Sequence, residues 1–156
     1  SMKLIVILCL LAVAVAASII GKKAVGAKGT LLCGNTPASN VRVRLFRVKP
    51  GKKDDINQML DEEYTGPQGM FHVEGNTNGF PLNETDLHPV LSIYHHCDDD
   101  PKKLEKTAFR RFNYVLPDTF VNQGEKAKKT YDLGSLNIQL EFPNEKREKT
   151  ILEKAN

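Results

Sequence analysis

The chain has 156 residues, 40% of them hydrophobic, and 22 basic residues against 19 acidic ones give it a net charge of +3. So weak a balance does not argue for nucleic acid as a partner, and any role for the basic residues depends on where they sit.

At the N-terminus Lys3 supplies a positive n-region, and residues 4–17 form an unbroken apolar run of 14 residues that ends in small side chains. A membrane span needs roughly 20 apolar residues. Residues 2–17 are therefore read as a signal peptide, cut after Ala16, Ala17 or Ser18. Ile19 and Ile20 lengthen the run, which leaves an uncleaved anchor as the alternative. Cleavage after Ala17 leaves 139 residues with 21 basic and 19 acidic side chains, a net charge of +2. That is the size of one domain. The expectation is a secreted, extracellular protein that does not span the membrane once the signal is gone.

The remaining chain alternates short β-type runs with Gly, Pro and Asn punctuation. Residues 27–33 form the first candidate strand and residues 41–49 the second, where Val41, Val43 and Leu45 alternate with Arg42 and Arg44. Such alternation marks a half-buried strand. The phase slips at Leu45-Phe46, which predicts a bulge. Residues 56–61 read as a loop or a single helical turn before a short strand at 63–65. Gly66-Pro67-Gln68-Gly69 is a strong turn signal, and a strand resumes at 70–74. Residues 75–89 read as a long surface connection. In 90–97, Val90, Ser92, Tyr94 and His96 share one face; Leu91, Ile93, His95 and Cys97 share the other. Residues 107–116 are again β-like, and 130–142 hold a last strand or two. Seven or eight strands without a long amphipathic helix predict an all-β sandwich over residues 24–142. Residues 143–156 are mostly charged and are expected to be a disordered tail.

Cys9 leaves with the signal peptide. Cys33 and Cys97 most simply form one disulfide in an oxidising compartment, the alternative being two buried thiols. Asn83-Glu84-Thr85 is the single N-x-S/T sequon, so Asn83 is a glycosylation candidate.

Gly29-Thr30-Leu31-Leu32-Cys33 and the run from Pro37 to Phe46 resemble the opening strands of the transthyretin-like family abundant in nematodes. Gly69-Met70-Phe71-His72-Val73, Leu91-Ser92-Ile93-Tyr94-His95-His96-Cys97 and Tyr131-Asp132-Leu133-Gly134 are similar to its later strands, in the same order. The resemblance implies a secreted, prealbumin-like sandwich of two four-stranded sheets with a disulfide between the matching cysteines. It also implies roles of the kind proposed within that family, such as bridging phosphatidylserine to an engulfment receptor. Many members carry a second cysteine pair; here residues 98–106 and the tail have none, so neither has that covalent tie. The related hydroxyisourate hydrolases end in Tyr-Arg-Gly-Ser, whereas this chain ends in Glu-Lys-Ala-Asn.

His95, His96, Cys97 and Asp98 are metal-ligating types, but in a strand they point alternately to opposite faces and cannot converge. The Asp98–Asp100 run lacks the glycine and later glutamate of an EF-hand loop. No metal and no cofactor are expected. Arg42 and Arg44 share one face, and with Arg110 they are the candidate anionic-ligand patch, suited to bidentate contacts with phosphate head groups. A solvated sheet face is the bland alternative. Phe80 and Leu82 could insert into a membrane surface or pack under their loop. No nucleophile–base pattern stands out. The expected function is non-enzymatic: an extracellular binding or bridging protein for an anionic lipid such as phosphatidylserine, a cell-surface receptor or a host protein. The alternatives are an oligomeric carrier of a small hydrophobic ligand and, more remotely, a hydroxyisourate-type hydrolase.

Overall fold

The computed structural model describes residues 2–7, 9, 21–51 and 54–155. The expected cleavage sites after Ala16, Ala17 or Ser18 lie outside the described residues. Residues 2–7 and 9 are helical and exposed, and no described helix is long and apolar enough to cross a membrane.

The rest is all-β: ten strands in two sheets of five. The first sheet is built on β1 (Lys23–Cys33), which pairs with β2 (Thr36–Pro37), β5 (Met70–Asn76), β8 (Asn122–Gln123) and β9 (Thr130–Asn137). The second sheet runs β10 (Lys146–Glu148), β7 (Phe109–Val115), β6 (Val90–His95), β3 (Arg42–Phe46), β4 (Met59–Tyr64). Every pairing is antiparallel except β1 with β9, which is parallel. The expected sandwich is present, with that one parallel pair and five strands per sheet in place of four. The extra strands are short: β2, β8 and β10 have only two or three residues each.

Alternation decides the core. Val25, Ala27 and Leu31 of β1 and Phe71 and Val73 of β5 face inward from the first sheet. Val43, Leu45, Leu91, Ile93 and Phe112 meet them from the second, all at 5% exposure or less. Burying a side chain of this size contributes roughly 1.5–3 kcal/mol. The predicted slip at Leu45-Phe46 is a register shift against β4, and it leaves both side chains buried. Residues 56–58 form a single 3-10 turn, and the strand after it starts at Met59, earlier than its sequence suggests.

Two glycines are required by close approach. Gly69 ends the 66–69 turn at φ +76, where a Cβ would collide with the Leu31 carbonyl. Gly75 lets β5 of the first sheet pass against Leu60 of β4 in the second. The Cys33–Cys97 disulfide joins the end of β1 to the residue two past β6, tying the two layers at one pole.

The tail departs from expectation. Residues 143–156 read as disordered from composition, yet Lys146, Arg147 and Glu148 pair in register with Arg111, Arg110 and Phe109 of β7. The open edge of β7 supplies the backbone partners, and long-range ion pairs do the rest: Glu145 with Arg110, Arg147 with Asp99 and Glu148 with Arg111.

Candidate functional site

The outer face of the second sheet gathers three of the chain's six arginines. Arg42 lies beside Tyr94 in the register, and Tyr94 beside Arg111; Arg44 lies between Glu62 and Ser92. Directly opposed residues share a face, so Arg42, Arg44, Tyr94 and Arg111 form one cluster. The guanidiniums of Arg44 and Arg111 both sit over the Tyr94 ring, 5.7 and 5.5 Å from its centroid.

Arg110, the third residue of the candidate patch, is not part of it. It has the parity of Phe112 and points inward at the disulfide pole. There its Nε donates to Glu145 at 2.5 Å, its Nη1 to the Cys97 carbonyl at 3.1 Å and its Nη2 to the carbonyls of Gln139 and Leu140. Arg111 takes its place on the face. The signal was present in the sequence: Phe112 and Tyr114 mark the inward parity, and Arg110 shares it.

This face is covered rather than solvated. Arg44 is fully buried, Tyr94 and Arg111 nearly so. Glu62 accepts from Arg42 Nε and Nη2 at 3.1 Å each and from Arg44 Nε at 2.6 Å. From the loop before β4, Asp54 pairs with Arg111 and accepts from the Tyr94 hydroxyl. From the tail, Glu148 accepts from Arg111 Nη1 and Glu153 accepts from Arg42 Nη2 at 2.6 Å. Burial alone would lower the Arg42 pKa, but its hydrogen bonds to Glu153 and Glu62 carry it above the ordinary arginine value. Burial and the bond to Asp54 raise the Tyr94 phenol as well. Arg44 Nη1 has no hydrogen-bond partner among the described residues.

Around the edge of this face, at the disulfide pole, lies a cleft of about 780 Å³. Ala38, Val41, Phe109, Ile138, Leu104 and Ile151 give it apolar walls, and Arg42, Tyr64 and Glu153 close its polar end. The turn carrying Leu104 also displays Lys102, Lys103 and Lys106, all exposed and in no ion pair among the described residues.

The other sequence candidates fall in separate places. His95 points inward and is 3% exposed; its Nδ1 accepts from the Cys97 amide, and burial, then Arg110, pushes its pKa down to about 4. His96 points outward, its Nδ1 2.9 Å from Asp99. Asp99 is held below the ordinary carboxylate range chiefly by Arg147, and Asp100 accepts from the Lys102 amide. The acid run thus braces its own turn and ties it to Gln139 and to Arg147 of the tail. Among the described residues the grouping of metal-ligating atoms is Cys33, Cys97 and Asp98, whose two sulfurs are bonded to each other. Asn83 is exposed on a 3-10 turn at Leu82–Glu84. Phe80 is half-buried beneath the Arg47 guanidinium, whereas Leu82 is 81% exposed.

A family model described as the TTR-52 transthyretin-like family matches residues 28–117. Transthyretin-like protein 46 of Caenorhabditis elegans is 40% identical over 81% of this chain and 65% of its own, so the chain spans about two thirds of that relative's length. Transthyretin-like protein 33 of the same organism is 35% identical over 79% of each chain. Transthyretin-like protein 5, also from that organism, is 32% identical over 94% of this chain and 98% of its own. The matched segment runs from β1 to just past β7, through both sheets and both cysteines, and on these grounds the chain belongs to the transthyretin-like family.

Proposed function

We propose that the protein is a secreted, extracellular binding protein that docks on anionic lipid surfaces and presents the rest of its surface to a cell-surface receptor or host protein. The observation that carries this reading is the turn at residues 100–107. Lys102, Lys103 and Lys106 surround Leu104, which is 38% exposed, and none of the three is in an ion pair among the described residues, with Glu105 the one carboxylate between Lys102 and Lys106. Unpaired lysines around an apolar tip suit an anionic membrane surface. Arg42 and Arg44 suit it less, because carboxylates of the chain already hold both. A binding role fits the side chains better than catalysis does: Ser92 is fully buried, and its hydroxyl donates to Asn113 rather than to a base.

Co-sedimentation of the oxidised protein with phosphatidylserine and with phosphatidylcholine vesicles, at low and high salt, tests this. Preference for phosphatidylserine that weakens with salt is expected. Replacing Lys102, Lys103 and Lys106 with Gln should then weaken binding about a hundredfold, at about 1 kcal/mol per lysine. Equal binding to both vesicles, or indifference to salt, would sink the proposal.

A further inference from the structure

Arg42 lines the polar end of the cleft, buried Arg44 lies next to it on the same face, and only one carboxylate of the sheet is built in to balance the two. Glu62 is that carboxylate. It bonds Arg42 through both oxygens and Arg44 through one, and its side chain is 23% exposed. One positive charge is left over at a place where Arg44 is fully buried and the Arg42 side chain is 11% exposed. A buried charge needs a partner. Glu153 supplies it, through one bond of 2.6 Å to Arg42 Nη2 and one of 3.5 Å to Arg44 Nη2.

Glu153 is a loosely attached anion. Its side chain is 66% exposed, and beyond Glu148 no backbone hydrogen bond among the described residues ties the tail to the sheet. Exposed single contacts of this kind contribute little to stability. Directly beside the anion lies the apolar cleft, whose volume is in the range of small-molecule sites. The tail residues Thr150 and Ile151 form part of its wall. Arg44 Nη1 is buried and without a hydrogen-bond partner among the described residues.

We propose that this cleft is a binding site for a small amphipathic carboxylate, with Arg42 and Arg44 taking its head group, the apolar walls taking its body, and Glu153 standing in for the head group until the ligand displaces it. The site shares Leu104 with the lysine turn but uses none of its lysines, so replacing the lysines tests vesicle binding without touching the head-group contacts of the cleft.

Decanoate is the probe, titrated calorimetrically into the oxidised full chain without vesicles. Decanol, which has the body without the charge, and acetate, which has the charge without the body, are the controls. Saturable one-to-one binding of decanoate is expected, with both controls at least about tenfold weaker. Glu153→Gln removes the competing charge at an exposed position while keeping the side chain's size and one hydrogen-bond acceptor. It should tighten decanoate binding about two- to fivefold, the factor by which an exposed ion pair biases an open–closed equilibrium. The triple Gln variant of Lys102, Lys103 and Lys106 should bind decanoate as the parent does, which separates this site from the lipid-surface reading. Absence of saturable binding, equal binding of decanol, or weaker binding by Glu153→Gln would each overturn the proposal.

Discussion

The two sheets present opposite solutions to the same problem, a face that points away from the core. On the first sheet, Asp132, Lys28 and His72 lie in one row and Ser135, Thr30 and Met70 in the next, mostly exposed and left uncovered by the described residues. On the second, the equivalent rows hold Arg111, Tyr94 and Arg42, then Asn113, Ser92 and Arg44, and a loop and the tail cover them. A sheet with one solvated face is ordinary for antiparallel structures. A covered outer face made of arginines is not, because each buried guanidinium must find a carboxylate. The second sheet has accordingly drawn Asp54, Glu62, Glu148 and Glu153 onto it from three separate stretches of chain. One face relies on water and the other on the chain itself.

The sharpest way to break this contrast is to remove one cation from the covered face. Arg111→Ala leaves Asp54, whose side chain is 7% exposed, without its guanidinium. A loss of about 3–5 kcal/mol is expected in urea unfolding. A loss below about 1 kcal/mol would mean that the covered face is held by packing rather than by charge.

Acid should also act on the covered pole before the open face. His95 is neutral in the fold, with its pKa pushed down to about 4 by burial and then by Arg110. Unfolded, it titrates near 6.5, so its contribution is complete above that pH and is lost as the pH falls toward 4, about 3 kcal/mol in all. Glu145 and Asp99, held below the usual carboxylate range, withdraw their support only at still lower pH. Urea midpoints at pH 7, 5.5 and 4.5 should fall steeply for the parent and more gently for His95→Asn, which can still accept from the Cys97 amide. Parallel slopes would show that His95 carries none of the effect. The smallest effects belong to the open face: His72→Ala and Met70→Ala should each change stability by less than about 0.5 kcal/mol, measured in the same way at pH 7.

The contrast between the faces also marks how far the sequence could be read. Period-2 alternation set Val43 and Leu45 on one face of a half-buried strand and Arg42 with Arg44 on the other, and grouped Leu91 with Ile93, as the structure has them. Alternation tells which residues share a face, but not what lies above it. Covering the arginines depends on Glu153, more than 100 residues away in sequence, so the face read as either solvated or ready for a ligand. Composition misjudged the tail for a related reason. With Ile151 and Leu152 as its only large apolar residues beyond Phe142, it lacks a core of its own, and its order comes from the vacant edge of β7 and from arginines elsewhere. The cleft left no local trace at all, since residues 33–42, 94–109 and 138–153 each contribute only part of it.

The disulfide gives the sandwich a polarity. Cys33 ends β1 in one layer and Cys97 follows β6 in the other, so the layers are covalently clasped at one pole, while toward the pole where β1 and β6 begin packing and non-covalent contacts such as the Tyr114–Tyr131 hydrogen bond join them among the described residues. Fraying under heat or mechanical load should therefore start at the unclasped pole and travel toward the clasp. The cleft lies at the clasp, where its walls are the last part of the molecule to lose their spacing.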